Sequence, residues 1–373
     1  MITADYLVVG AGIAGASIAY ELAQQAQVVV LERELQPGYH STGRSAAVFS
    51  EIYGNRMVRN LSRASRGYFN APPPGFSEIP LLSARGALYI ATAKQKRLVE
   101  SFFCEADRLE NTRALSTREA MDLLPVLRSQ NAVHCRYAPE TMDIEAATVH
   151  QAYLKGLRRN GGQVVPSCTL ESIERAAGRW RVQTAEAVFT AKVLVNAAGA
   201  WADELAQLAG VRPIGLQPRR RTAMLVQPSI PMSVNRWPML VDIGETFYCK
   251  PDAGRLLLSP ADETPSGPCD AQPEDLDVAV AVDRLENATT LSIQQVSHRW
   301  AGLRSFVADR TPVLGSDVGC EDFFWVAGQG GYGIQTAPAM SQLGAALLLG
   351  KKVPEDLVAH GVSVEALSPR RLR

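Results

Sequence analysis

No two of the six cysteines (Cys104, Cys135, Cys168, Cys249, Cys269, Cys320) are close enough in the chain to form a CxxC pair, and none joins a histidine in a cluster. That gives no sign of a zinc or iron–sulfur site, and no metal site is expected. It points instead to reduced thiols in a cytoplasmic protein. Excess charge is missing too, since 38 Lys and Arg balance 38 Asp and Glu. A nucleic acid or an acidic membrane surface therefore finds no general attraction, and neither is expected as a partner. Long apolar runs are absent: stretches such as GAALLLG at 344–350 fall far short of the ~20 residues that span a bilayer. MITADYLVVG at the start lacks the basic segment of a secretory signal. The expectation is a cytoplasmic protein without a transmembrane segment, with peripheral attachment at an inner membrane left open. Repeats and low-complexity tracts are also lacking.

What is present is a 373-residue chain that is 46% hydrophobic and 20% charged, as in globular proteins. Its length implies two domains, or one large domain with an insertion. DYLVVGAGIAGASIAYELAQQAQVVVLER reads as strand, glycine turn, helix, strand. Tyr6 to Val9 is β-rich, Ile13 to Gln25 is rich in helix formers, and Val28 to Leu31 is continuously apolar like a buried parallel strand. Gly10, Gly12 and Gly15 give GxGxxG. The first permits the tight turn, the second lets backbone approach a pyrophosphate, and the third lets helix and strand pack closely. Glu32 ends the second strand, where an acid fits a ribose with free hydroxyls. An ADP-containing dinucleotide follows, although this motif does not separate NAD from FAD.

Further along, APPPGF at 71–76 breaks the chain. SARGALYIATA reads as a strand; LVESFFCEADRL and STREAMDLLPVL read as helices, the second with Ser116 as its cap. ATVHQAYLKGLRRNGGQVV and VLVNAAGAWADELAQLAG return to strand–helix alternation. From Gln217 to about Arg299 strand-like runs dominate. FFWVAGQGGYGIQTAPAM then gives a strand, a third glycine turn and a last helix. The nucleotide domain is therefore discontinuous, at 1–75, 141–215 and 300–373. A substrate domain fills 76–140 and 216–299.

Three small-residue loops, STGRSAA (41–47), VNAAGAW (195–201) and GQGGYG (328–333), suit an isoalloxazine ring and ribityl chain better than NAD. Together with GLQPRRR, FYCKPDAG, WAGLRSF and the terminal LSPRRL, they resemble the FAD-dependent D-amino-acid oxidase family, above all its catabolic D-arginine dehydrogenase branch. The resemblance covers nearly the whole chain. It implies an α/β fold with a Rossmann-like FAD-binding domain and an α+β substrate domain whose antiparallel sheet roofs the flavin. It also implies noncovalent FAD. The cofactor contacts it carries over are Gly10, Gly12, Ala14, Gly15, Glu32, Arg33, Ser41, Thr42, Gly43, Ser45, Ala46, Ala47, Ala198, Gly199 and Trp201. From the C-terminal loops come Gly302, Arg304, Gly330, Gly331, Tyr332, Gly333, Ile334, Gln335 and Thr336.

The activity implied is oxidation of a D-amino acid by hydride transfer from Cα to flavin N5, giving a 2-oxo acid and ammonia. Electrons pass to a quinone or dye; a glycine- or sarcosine-type oxidase using oxygen, or a flavin-binding protein without turnover, are the alternatives. In a strand Arg219, Arg221 and Ala223 share one face, and Arg220 with Thr222 the other. The resemblance puts Arg221 and Arg304 on the substrate carboxylate, which a guanidinium grips with two parallel hydrogen bonds. It puts Tyr248 beside that carboxylate, Tyr53 over the substrate, and the Gly331 carbonyl on the amine. No side-chain base is needed, so His40 and His298 are not assigned. The resemblance also puts Val48, Ser50 and Ala87 on the pocket lining. Where the branch carries a histidine and an acid, this chain has Val48 and Ala87. An apolar or aromatic preference follows, unless Glu51 supplies the charge from another side.

Overall fold

The computed structural model describes residues 1–229 and 233–373. Strand Ile2–Val9 lies at the centre of an eight-stranded sheet, parallel to Val28–Leu31 on one side and to Val188–Asn196 on the other. Gln163–Val165 extends the first side. Phe323–Ala327 pairs with the C-terminal half of Val188–Asn196, and an antiparallel meander, Leu170–Ala176 and Arg179–Thr184, covers its N-terminal half. All four residues of Val28–Leu31 are buried, as a parallel strand between two helix layers requires. Helices Ile13–Ala23 and Gly333–Leu348 pack against each other. A Cβ on Gly344 would stand 2.7 Å from Ile18 Cδ1, so glycine sets how closely they approach.

The second sheet has nine strands. Thr264–Pro265, Gln217–Pro228, Arg255–Ser259, Tyr248–Asp252, Met239–Asp242, Ala87–Ala91, His134–Ala138 and Arg113–Leu115 follow in order, and Ile293–Phe306 runs along Gln217–Pro228. It is antiparallel except at one seam, where Met239–Asp242 runs parallel to Ala87–Ala91. That seam brings together two stretches of chain far apart in sequence. The position 299/300 lies within strand Ile293–Phe306, which pairs with Gln217–Pro228 along its length. A small sheet, Val48–Phe49, Met142–Ile144 and Leu82–Ala84, links the two regions.

Three local readings change. SARGALYIATA is two strands in two different sheets, Leu82–Ala84 and Ala87–Ala91. The break is Gly86, at φ +70°, where a Cβ would meet the Tyr137 hydroxyl at 2.3 Å. LVESFFCEADRL is likewise two short helices, Lys96–Phe102 and Ala106–Glu110. Within the stretch read as strands lies a helix, Asp275–Ala288. Its alternating Val and Ala suggest a strand. However, Ala281, Leu285 and Ala288 at helical spacing bury against the second sheet, with Asp275 and Asp277 in the first turn where the helix dipole favours them.

Candidate active site

Three cavities adjoin through shared lining residues. The first, of about 300 Å³, lies over the first glycine turn and is lined by Gly10, Gly12, Glu32, Arg33, Ser41, Thr42, Ala198, Gly199 and Trp201, among others. The second, of about 140 Å³, shares Gly12, Ser41, Thr42 and Gly199 with it and adds Ala14, Ser45, Ala46, Gly302, Arg304, Gly330, Gly331, Gly333 and Ile334. The third, of about 100 Å³, shares Ser45, Ala46, Arg221, Tyr248, Arg304 and Gly331 with the second and lies beneath the nine-stranded sheet.

The first glycine turn is shaped as a phosphate cradle. Gly10 has φ +100°, and a Cβ there would stand 2.4 Å from the Ala197 carbonyl oxygen. A Cβ on Gly15 would stand 1.8 Å from the Gly10 oxygen, so the helix could not seat on the strand. A Cβ on Gly12 would point at Thr42 Oγ1 across the cavity. That Oγ1 already accepts from Ile13 N at 3.0 Å and ties the STGRSAA loop to the helix start. The Glu32 carboxylate accepts from Ala11 N (2.7 Å) and Glu34 N (2.9 Å). Each carboxylate oxygen keeps acceptor capacity for a ribose hydroxyl. Nearby, Arg33 stacks over Trp201 at 4.3 Å, and Trp201 packs on His40. A long cleft of this kind, ending in small-residue loops, fits FAD with its adenosine end in the first cavity and its flavin end in the second.

Among the sequence-derived contacts, Gly15, Gly43, Tyr332 and Thr336 line none of the three cavities. Gly15 acts in packing. The Gly43 N–H closes a turn on Gly38. Thr336 is fully buried and its hydroxyl bonds the Tyr332 carbonyl. Ala47 and Gln335 line the third cavity rather than the second. The Gln335 amide pairs with the Ser50 backbone through Ser50 N (3.0 Å) and Ser50 O (3.3 Å), and donates to Ser62 Oγ (2.8 Å).

The arginine triplet divides as the strand period requires. Arg220 faces away and pairs with Glu274 and Asp277 at the start of the helix Asp275–Ala288. Arg219 donates to the Glu263 carbonyl and to Gln217. Arg221 alone lines the third cavity; its Nε donates to Asp262 O (2.7 Å) and its Nη2 to Glu263 (3.2 Å). Arg304, opposite Arg219 in the register, also reaches that cavity, and its Nη1 donates to the Tyr53 hydroxyl at 3.1 Å. Gly331 has no side chain for a local reason: a Cβ would stand 2.7 Å from that same Nη1. Burial would lower the Arg304 pKa, but the oxygens of Tyr53, Tyr248 and Tyr332 outweigh it and keep the cation. Burial raises the Tyr248 pKa, and Arg304 and Arg221 more than reverse this, leaving it below its ordinary 10.

The family model described as FAD dependent oxidoreductase (DAO) matches residues 5–347. The chain belongs to this family. It is an FAD-dependent oxidoreductase, and the lining of its second cavity offers no thiol or imidazole for a covalent flavin link. Among relatives it is similar to a glycine oxidase of Bacillus licheniformis, 24% identical over 95% of both chains. Among solved structures it is similar to glycine oxidase from Geobacillus kaustophilus (TM-score 0.83, 21% identical, 97% of this chain and 99% of that one). It is also similar to FAD-bound L-alpha-glycerophosphate oxidase from Mycoplasma pneumoniae (TM-score 0.84, 20% identical, 94% and 95%). These likenesses show family and fold, not the D-arginine dehydrogenase branch.

In this DAO-family chain the third cavity has a mostly apolar wall. Val48 and Ala87 line it, with Met239, Val241, Phe102 and Phe247. Met239 and Val241, and Ala87 and Tyr89, are alternate residues of adjacent strands, brought together by a pairing distant in sequence. Ser50 Oγ is buried there without a hydrogen-bond partner among the described residues. Glu51 does not line the cavity; it pairs with Arg66, and the Arg66 guanidinium in turn lies over Phe49. The carboxylate on the lining is Glu245, exposed at a hairpin turn with φ +52°. No motif marked it, and only the pairing of the strands flanking its turn brings it to the rim. Among the described residues no helix is long and apolar enough to cross a membrane.

Proposed function

We propose that this enzyme oxidises D-amino acids to 2-oxo acids and ammonia, prefers apolar and aromatic side chains, and passes its electrons to a quinone- or dye-type acceptor. One observation carries the reading: Arg221 and Arg304 converge with Tyr53 and Tyr248 where the flavin-side cavity meets an apolar pocket. Two guanidinium groups beside a redox cofactor suit a carboxylate, and the apolar lining suits the side chain beyond it. When bound, the flavin would accept a hydride, which carries both electrons of the oxidation, from the substrate. The protein's own part is to fix the carboxylate with Arg221, Arg304 and Tyr248, take the amine on the Gly331 carbonyl, and cover the site with Tyr53. With the carboxylate and amine held, the Cα–H has one direction left, toward the flavin side. The neutral amine's lone pair forms the C=N bond as hydride leaves, and water then hydrolyses the imine.

The D configuration and the choice of acceptor rest on the likeness of motifs such as STGRSAA and GQGGYG to the D-arginine dehydrogenase branch. The names of the glycine oxidase relatives favour a second reading, a small amine oxidised with oxygen as acceptor. Anaerobic bleaching of the yellow protein by a panel of D-Met, D-Phe, D-Leu, D-Arg and D-Lys tests the first reading. The apolar members should bleach fastest. Bleaching by glycine or sarcosine alone, with peroxide release in air, would replace it with the second. Bleaching by no amine at all would leave a flavin-binding protein without this turnover.

A further inference from the structure

Resting on the reading that Tyr53 closes the substrate pocket, we propose that Arg108 is a positioning residue that holds Tyr53 in place from outside the site. Tyr53 sits in a short loop, Ile52–Tyr53–Gly54, and that loop is not stiff by itself. Gly54 adopts φ +85°, a conformation glycine holds with little penalty and with wide freedom around it. The loop is fixed by its surroundings. Arg108, on the short helix Ala106–Glu110, donates from Nε to Ile52 O (3.1 Å) and from Nη2 to Gly54 O (2.8 Å). These carbonyls lie on either side of Tyr53. Arg59 Nη1 also donates to Gly54 O, at 2.8 Å, so both lone pairs of that oxygen are used. Glu105 joins the two arginines, pairing with Arg59 and with Arg108 (3.4 Å).

The same guanidinium reaches a second wall of the pocket. Arg108 Nη1 donates to Phe102 O (3.0 Å), and its plane lies over the Phe102 ring at 4.3 Å. Phe102 and Tyr53 both line the third cavity. One planar fork thus ties the segment carrying Phe102 to the loop carrying Tyr53. On the inner side Tyr53 accepts from Arg304 Nη1 and packs edge-on against Tyr332 at 4.9 Å. A shift of the Tyr53 loop would therefore free Arg304 as well. Arg108 itself does not line the pocket and acts through Tyr53.

The test uses the FAD-loaded protein and the amine that bleaches it fastest. Arg108→Met should lower kcat/KM roughly tenfold or more, mainly through KM, with flavin content and spectrum unchanged. In a Tyr53→Ala background the same change should cost clearly less than in the parent, the remainder being what Arg108 contributes through Phe102. Equal cost in both backgrounds, or no cost in the first, overturns the proposal. If Tyr53→Ala alone leaves kcat/KM unchanged, the reading of Tyr53 fails instead. Arg108→Lys keeps charge and stem but lacks the fork; it should retain only part of the activity, and it stands in if the Met variant does not fold. Hydrogen exchange needs no substrate: peptides covering 50–56 should exchange faster in either Arg108 variant, while those covering 10–15 and 328–336 stay unchanged. Unchanged exchange at 50–56 also overturns the proposal.

Discussion

Arg304→Met separates two arginines that look equivalent in the sequence. Arg221 shares its charge with Glu263 at 3.2 Å, and Glu263 is held in turn by Arg310 through two bonds of 2.9 and 2.7 Å. Arg304 has no carboxylate within ion-pair distance among the described residues; its bond is to the hydroxyl of Tyr53. Its charge is therefore wholly available to a substrate carboxylate. Removing it leaves that carboxylate on an arginine already partly neutralised. Breaking a buried ion pair from one side costs about 3–5 kcal/mol. At about 1.4 kcal/mol per decade, kcat/KM should fall by roughly two to nearly four orders of magnitude. Arg221→Met should cost less, about 1.5–3 kcal/mol, the range of a hydrogen bond to a charged group. Steady-state dye reduction by FAD-loaded variants, with flavin occupancy read from absorbance, makes the comparison. An Arg304→Met enzyme within tenfold of the parent would refute the assignment. An Arg221→Met enzyme worse than Arg304→Met would refute the argument from charge sharing.

Other outcomes follow from the same geometry. Gly331→Ala puts a methyl where Arg304 Nη1 lies, 2.7 Å away; activity should fall about a hundredfold while FAD stays bound, because the guanidinium must move. The kcat/KM profile should rise with pH as the substrate amine loses its proton, then fall on the alkaline side as Tyr248, whose pKa the two arginines hold below 10, becomes an anion beside the carboxylate site. Tyr248→Phe should abolish that fall and keep the rise. His150 is buried, its Nε2 on the Ala11 carbonyl at 2.8 Å, and burial holds its pKa below 6.5. The unfolded chain then binds a proton that the folded chain refuses, so stability declines as pH drops through about 6.5; melting temperatures between pH 7.5 and 5.5 should fall less steeply for His150→Gln. Ala87→Glu, which puts a carboxylate on the apolar pocket wall, should raise D-Arg in the ranking against D-Met and D-Phe.

What the sequence made legible was the part that depends on local backbone chemistry. The first glycine turn could be read residue by residue, because a Cβ at Gly10 or Gly15 collides with atoms of the same βαβ unit or its neighbouring strand. The Arg219 to Arg221 triplet could be divided by face, because a strand alternates. Two kinds of feature stayed hidden. One is helix read as strand: Val278, Val280 and Val282 alternate with alanine, and only burial of Ala281, Leu285 and Ala288 against the sheet decides for a helix. The other is any residue brought in by a pairing distant in sequence. Glu51, two positions from Tyr53, looks like a pocket acid, yet Arg66 on the following helix takes its charge. Glu245 carries no motif but reaches the rim because its hairpin joins strands Met239–Asp242 and Tyr248–Asp252, the first of which pairs with Ala87–Ala91.

These hidden pairings bear on specificity. The walls at Val48, Ala87, Met239 and Val241 are apolar, and their burial favours apolar side chains at about 25 cal/mol per Å². A cationic side chain ending among them would lose its hydration, at a cost of several kcal/mol without a partner. Glu245 lies at the exposed edge, where water screens a carboxylate and an ion pair contributes at most about 1 kcal/mol. The balance therefore favours apolar substrates. A long cationic side chain that reached the rim would lose less than a short one, because its charge would end in water beside Glu245. Among basic substrates D-Arg and D-Lys should accordingly outrank the shorter D-ornithine, while D-Met and D-Phe outrank all three. Measured kcat/KM values with D-ornithine above D-Arg would show that Glu245 does not meet the side chain.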